Sequence, residues 1–115
     1  MGEQGLLERL REGVKSYVNP LHGTEDCLLF MIDENVKPRD TGTLMIVCAG
    51  KVLCEVPNLA LYSFDPEPVI RRLNAHAKAL QSCVAQRIEF RNVSPWLEGE
   101  IRKTLGSLRV PVAAS

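Results

Sequence analysis

Asp33, Glu34 and Asn35 stand in a row at the end of an apolar run, Leu28-Leu29-Phe30-Met31-Ile32, and Pro38 follows shortly after. Two carboxylates and an amide are the side chains of acid–base pairs, of hard-metal cages and of RNA-loop contacts. Neighbouring residues on a strand point to opposite faces, so Asp33 and Glu34 do not share one substrate as a catalytic pair. They mark a strand end reaching solvent. His76 lies between Ala75 and Ala77 with no acid or nucleophile beside it in sequence, and reads as a surface or satisfied histidine. There is no glycine-rich phosphate loop, no Gly-x-Ser-x-Gly and no His-Glu-x-x-His. Cys27, Cys48, Cys54 and Cys83 sit in or beside apolar runs with no Cys-x-x-Cys spacing, and His22 and His76 have no partner at ligand spacing. The cysteines are expected to serve as small hydrophobes, neither bonded nor metal-bound. The expectation is a protein that is not an enzyme, with no cofactor and no metal.

Charge offers a different chemistry. The formal net charge is +0, but residues 1–68 carry 6 basic against 11 acidic side chains and residues 69–115 carry 8 against 3. A uniformly basic RNA-binding surface is excluded, whereas a basic face built by the C-terminal elements is not. Its candidates are Arg71, Arg72, Lys78, Arg87, Arg91, Arg102 and Lys103, which suit phosphate contacts that position an RNA without reading it. Aromatic stacking platforms are scarce, which argues against sequence-specific capture of single strands.

These side chains must be held by a small set of elements. At 115 residues and 45% hydrophobic composition the chain is expected to be one domain, 1–115. No apolar stretch reaches the length of a membrane span, and the opening MGEQGLLERLREG lacks a cleavable-signal pattern, so a cytosolic or nuclear location is expected. Leu6, Leu7, Leu10, Val14 and Val18 recur at helical spacing up to Asn19-Pro20. Residues 27–33, 58–64 and 83–90 have strand patterns; the first is apolar enough to be buried on both faces. Val69, Ile70, Leu73, Ala77 and Leu80 make a helical face, and Ser94-Pro95 opens a last helix with Trp96, Leu97, Ile101, Leu105 and Leu108 on its apolar side. Residues 43–56 are ambiguous: β-branched content around Ala49-Gly50 suits a hairpin, while Asp40 or Thr41 would cap a buried helix. Propensity alone favours the hairpin. Alternating helices and strands give an α/β class, as a three-layer α/β/α sandwich on a mixed, roughly four-stranded sheet.

The order of LREGVKSYVNPL, CLLFMIDENVKP and VPNLALYSF resembles the kink-turn-binding ribosomal-protein superfamily. Within it, HGTEDCLLFMIDENVKP, CEVPNL and SPWLEGEIRKTLGSLRVPV look most like the divergent protein subunits of eukaryotic nuclear ribonuclease P and ribonuclease MRP. The resemblance spans roughly residues 6–112 and implies a helix over 40–54 in place of the hairpin; a hairpin at 43–56 would exclude the family's fold. It also implies a non-catalytic subunit that stabilises ribonuclease P or MRP RNA in tRNA and rRNA processing. The setting would be a ribonucleoprotein in the nucleus, at the nucleolus, beside other protein subunits. The implied RNA-binding surface combines Gly13, Lys15, Ser16 and Asn19 of the first helix, Glu34 and Asn35 at the strand end, and Lys78, Gln81 and Ser82 before the last strand. Where the family has Asn and Glu after its glycine-x, this chain has Lys15 and Ser16, so Lys15 would meet phosphate rather than sheared base pairs. The alternative is a protein-interaction module of the same fold, comparable to stress-sensor adaptors, that binds no RNA. Neither membrane nor small-molecule substrate is expected as a partner.

Overall fold

A computed structural model describes residues 23–114. Among the described residues, 27–34 form the first strand, β1 (Cys27–Glu34), followed by β2 (Thr41–Cys48) of equal length and the longer β3 (Lys51–Ala60). Next come helix α1 (Glu67–Ala75), the short helix α2 (Ala77–Gln81), the edge strand β4 (Arg87–Arg91) and helix α3 (Pro95–Ser107), with a closing 3-10 turn at Pro111–Ala114. The sheet order is β3-β2-β1-β4, with β1 antiparallel to β2, β2 antiparallel to β3, and β1 parallel to β4. The class is α/β on a mixed four-stranded sheet, as the alternation of patterns implies.

Register sorts the side chains between the two faces. Leu28, Phe30 and Ile32 stand opposite Cys48, Ile46 and Leu44 on one face, and Leu29 and Met31 stand opposite Val47 and Met45 on the other. The first face is the larger core. Val69 and Leu73 of α1, Leu80 of α2 and Leu97, Ile101 and Leu105 of α3 all join its cluster. The described helices therefore lie on one side of the sheet. Cys27, Leu29, Met45 and Val47 form a second buried cluster on the opposite face, which is why β1 is apolar at every position from 27 to 32. The three-layer arrangement is not formed by the described residues.

Residues 43–56 are a hairpin, and the helix that the resemblance implied over 40–54 is overturned. The reason is local. Cys48 pairs with Lys51 across the two-residue turn Ala49-Gly50, whose φ values are +51° and +84°. Positive φ at both central residues is the turn that matches strand twist, and Gly50 supplies one of them without strain. Ala49 pays a steric penalty there, so Ala49→Asn is expected to raise stability by roughly 0.5–1 kcal/mol. Thermal unfolding checks it, and a loss of stability would show that the turn is of another type.

Boundaries differ elsewhere too. The strand expected at 58–64 ends at Ala60, and the one expected at 83–90 begins only at Arg87. Asn58 has φ +55°, and Asp65-Pro66 starts the turn into α1, where Asp65 Oδ1 accepts from the Glu67 amide at 3.1 Å. The start of the last helix is as the sequence implied: Ser94 Oγ accepts from the Leu97 amide at 3.3 Å and Pro95 occupies the first turn.

The cysteine expectation is corrected as well. Cys48, at the end of β2, is disulfide-bonded to Cys83, in the segment between α2 and β4, across 35 positions of sequence. Cys27 and Cys54 are free thiols. Sequence spacing gave no signal of the bond, because only the fold brings the end of the hairpin against that segment.

Candidate functional site

β1 and β4 run parallel, and their carboxyl ends open on one side of the sheet. Beyond those ends a cleft of about 720 Å³ lies between the chain leaving β3 and the chain entering α3. Ile32 and Leu59, both buried, line its inner part. Leu61, Tyr62 and Phe64 form one wall, and Val93, Pro95 and Trp96 the other. Open α/β sheets place their ligand crevices beyond the carboxyl ends of the strands, and this volume falls in the range of binding clefts, about 300–1,000 Å³.

The exposure of the rim separates it from an ordinary core seam. Tyr62 is 77% and Phe64 79% exposed, and Val36, in the β1–β2 connection at the same end of the sheet, is 87% exposed. Phe64 meets Trp96 edge to face at 5.3 Å, which ties the two walls together while leaving most of its ring uncovered. Glu34 and Asp65 are the charged residues of the lining. Asn92, with φ +56° just after β4, donates from Nδ2 to the Ile32 carbonyl at 3.0 Å and to Glu34 Oε2 at 3.2 Å. It thus fixes the position of the Glu34 carboxylate at the mouth.

The strand-end triad is divided by this geometry. Asp33 faces Thr43 and Glu34 faces Gly42, so the two acids lie on opposite faces as alternation requires. Asn35 is occupied locally: its amide donates to the Thr41 carbonyl at 2.8 Å and its Nδ2 to Thr41 Oγ1 at 2.9 Å. Only Glu34 enters the cleft. Lys78, Gln81 and Ser82 lie at the other end of the sheet, near the start of β4, where Gln81 Nε2 donates to the Leu108 carbonyl at 2.7 Å. Eight residues of β1 put roughly 20–25 Å between the two groups. The structure does not bring them together. Gly13, Lys15, Ser16 and Asn19 lie outside the described residues. His76, half-buried between α1 and α2, has Nδ1 3.1 Å from the Arg72 carbonyl, a satisfied histidine. Among the described residues no group of acids, cysteines and histidines could hold a metal ion.

The basic candidates are largely neutralised within the chain. Arg71 pairs with Glu67, Arg87 with Asp26 and Glu89, Arg91 with Glu89, and Arg102 with Glu98. Arg102 also lies over the Phe90 ring at 4.9 Å. Glu89 is held below the usual carboxylate range by hydrogen bonds from Arg87 and then Arg91. A carboxyl lowered in the folded state contributes stability that is present above its unfolded range and lost as pH falls through the folded value. Each of these four arginines has a carboxylate partner within the chain, though Arg71 and Arg102 keep half or more of their side chains exposed. Among the described residues, Arg72, Lys78 and Lys103 of the original seven have no ion pair.

Sequence reasoning missed Tyr62, Phe64 and Trp96 as a site because each falls in an apolar pattern. The available signal was Asp65-Pro66 directly after LYSF, which stops a strand and leaves its aromatics on a turn. No family model matches the chain, and no curated protein or solved structure matches it either. No helix among the described residues is long and apolar enough to cross a membrane.

Proposed function

We propose that the chain is a protein-interaction module that docks a partner in the cleft beyond β1 and β4. The observation that carries this is the exposed aromatic rim, Tyr62 and Phe64, beside an apolar cleft whose charged lining residues are both carboxylates. Tyr and Trp are the side chains most enriched where binding energy concentrates at protein interfaces. Carboxylates repel phosphate, and four of the seven arginines and lysines that could have tracked an RNA backbone are paired internally.

The competing role, a nuclear ribonuclease P or MRP subunit, would require the separated strand-end and pre-β4 groups to act on different parts of one RNA. It would also place the Cys48–Cys83 disulfide in a compartment that keeps thiols reduced. Affinity purification from cells, split into nuclease-treated and untreated halves, decides between the two. A stoichiometric protein partner that survives nuclease and is lost with Tyr62→Ser/Phe64→Ser supports the interaction module. A long structured RNA retained by that same double variant overturns it in favour of the RNA-bound role.

A further inference from the structure

We infer that the occupant of the cleft is an extended segment of a partner protein in which an apolar side chain is followed closely by a lysine or arginine; this rests on the interaction-module reading. The apolar requirement comes from the walls. Tyr62, Phe64 and Trp96 converge on an inner surface of Ile32 and Leu59, so a side chain entering there exchanges water for hydrocarbon and aromatic ring on every side. The two lengths of chain that bound the cleft, residues 59–65 and 92–97, meet where Phe64 touches Trp96 at 5.3 Å between centroids, which leaves room for extended backbone rather than a helix about 10–12 Å across.

The basic requirement comes from charge complementarity. Glu34, at the end of β1, and Asp65, in the chain leaving β3, both line the cleft, and no ion pair within the described residues involves either of them. Each carboxylate is already oriented, Glu34 by Asn92 Nδ2 at 3.2 Å and Asp65 by the Glu67 amide at 3.1 Å. Oriented carboxylates lose little freedom when they accept a guanidinium or ammonium, and they reject an acidic peptide. An apolar anchor fixes depth, and the cation fixes direction.

The chain contains a single tryptophan, Trp96, so its fluorescence reports occupancy of this cleft directly. Random twelve-residue peptides displayed on phage would be selected on the full chain, and the recovered sequences synthesised and titrated against Trp96 emission. The expected winners pair an apolar residue with Lys or Arg. Glu34→Gln with Asp65→Asn should weaken them roughly two- to thirtyfold at low salt, as two rim ion pairs would, and the difference should shrink near 1 M salt. Tyr62→Ser with Phe64→Ser should weaken them about thirtyfold or more, as loss of a hot spot does. Asn at position 65 keeps the acceptor for the Glu67 amide, so folding is preserved while charge is removed.

Binding that depends on Tyr62 and Phe64 but ignores the two carboxylates overturns the basic-segment inference and leaves the interaction module standing. Selected peptides that leave Trp96 emission unchanged overturn both. Emission that shifts with protein concentration in the absence of peptide, together with a dimer in sedimentation, assigns the cleft to a second copy of this chain and overturns the partner inference.

Discussion

Reduction of the Cys48–Cys83 disulfide is expected to lower the unfolding free energy by about 3–4 kcal/mol. The bond closes a loop with a sequence separation of 35, and a cross-link of that span removes roughly this much chain entropy from the unfolded state. It joins the end of the hairpin to the segment that leads into β4, so the unfolded oxidised chain keeps the two halves of the fold tethered. In urea, with a slope near 1–1.5 kcal/mol/M for a chain of this size, the midpoint should fall by roughly 2–4 M on addition of reductant. A Cys48→Ala/Cys83→Ala variant should match the reduced protein and no longer respond to reductant. Mass spectrometry checks the premise. Alkylation of the unfolded, unreduced protein should label two thiols, Cys27 and Cys54, and four after reduction. Four labelled thiols without reductant would show that the bond is absent.

Phe30→Ala should cost about 3–5 kcal/mol, the range for emptying a large buried aromatic site. Phe30 is 0% exposed in the central strand pair, stacked on Phe90 at 5.2 Å between centroids and 15° between planes. Phe64→Ala, by contrast, should change stability by no more than about 0.5 kcal/mol, because a ring 79% exposed leaves little behind. Paired denaturation curves of the two variants test the division directly. Equal losses would show that Phe64 belongs to the core and that the cleft has no open aromatic rim.

The two phenylalanines show how far composition carries the argument. Both stand in apolar runs that look like strand, and nothing in either run tells the buried ring from the presented one. Phe30 is flanked by apolar residues that must point to both faces of a covered sheet. Phe64 stands directly before Asp65-Pro66, where the chain turns away from the sheet and leaves the ring mostly exposed beside Trp96.

Several features follow from local rules and were legible in the sequence alone. The apolar period of 27–32 specified a strand buried on both faces and Ser94-Pro95 specified the start of α3, while Ala49-Gly50 within β-branched residues favoured a hairpin without excluding a helix. Each depends on contacts within a few residues, so the information lies within reach of the pattern. The opposed faces of Asp33 and Glu34 were fixed in the same way, by alternation.

Tertiary structure decided the rest. Cys48 and Cys83 are joined because the parallel placement of β4 beside β1 brings the segment after α2 to the end of the hairpin. Glu34 and Asp65 share a cleft, while Glu34 and Gln81 are separated by the length of a strand. Arg87 of β4 pairs with Asp26 just before β1, a partner 61 positions away that a net count of charges cannot show. Long-range pairing depends on which strand lies beside which, and that order is set by how all the apolar faces are buried together, not by any stretch of residues taken singly.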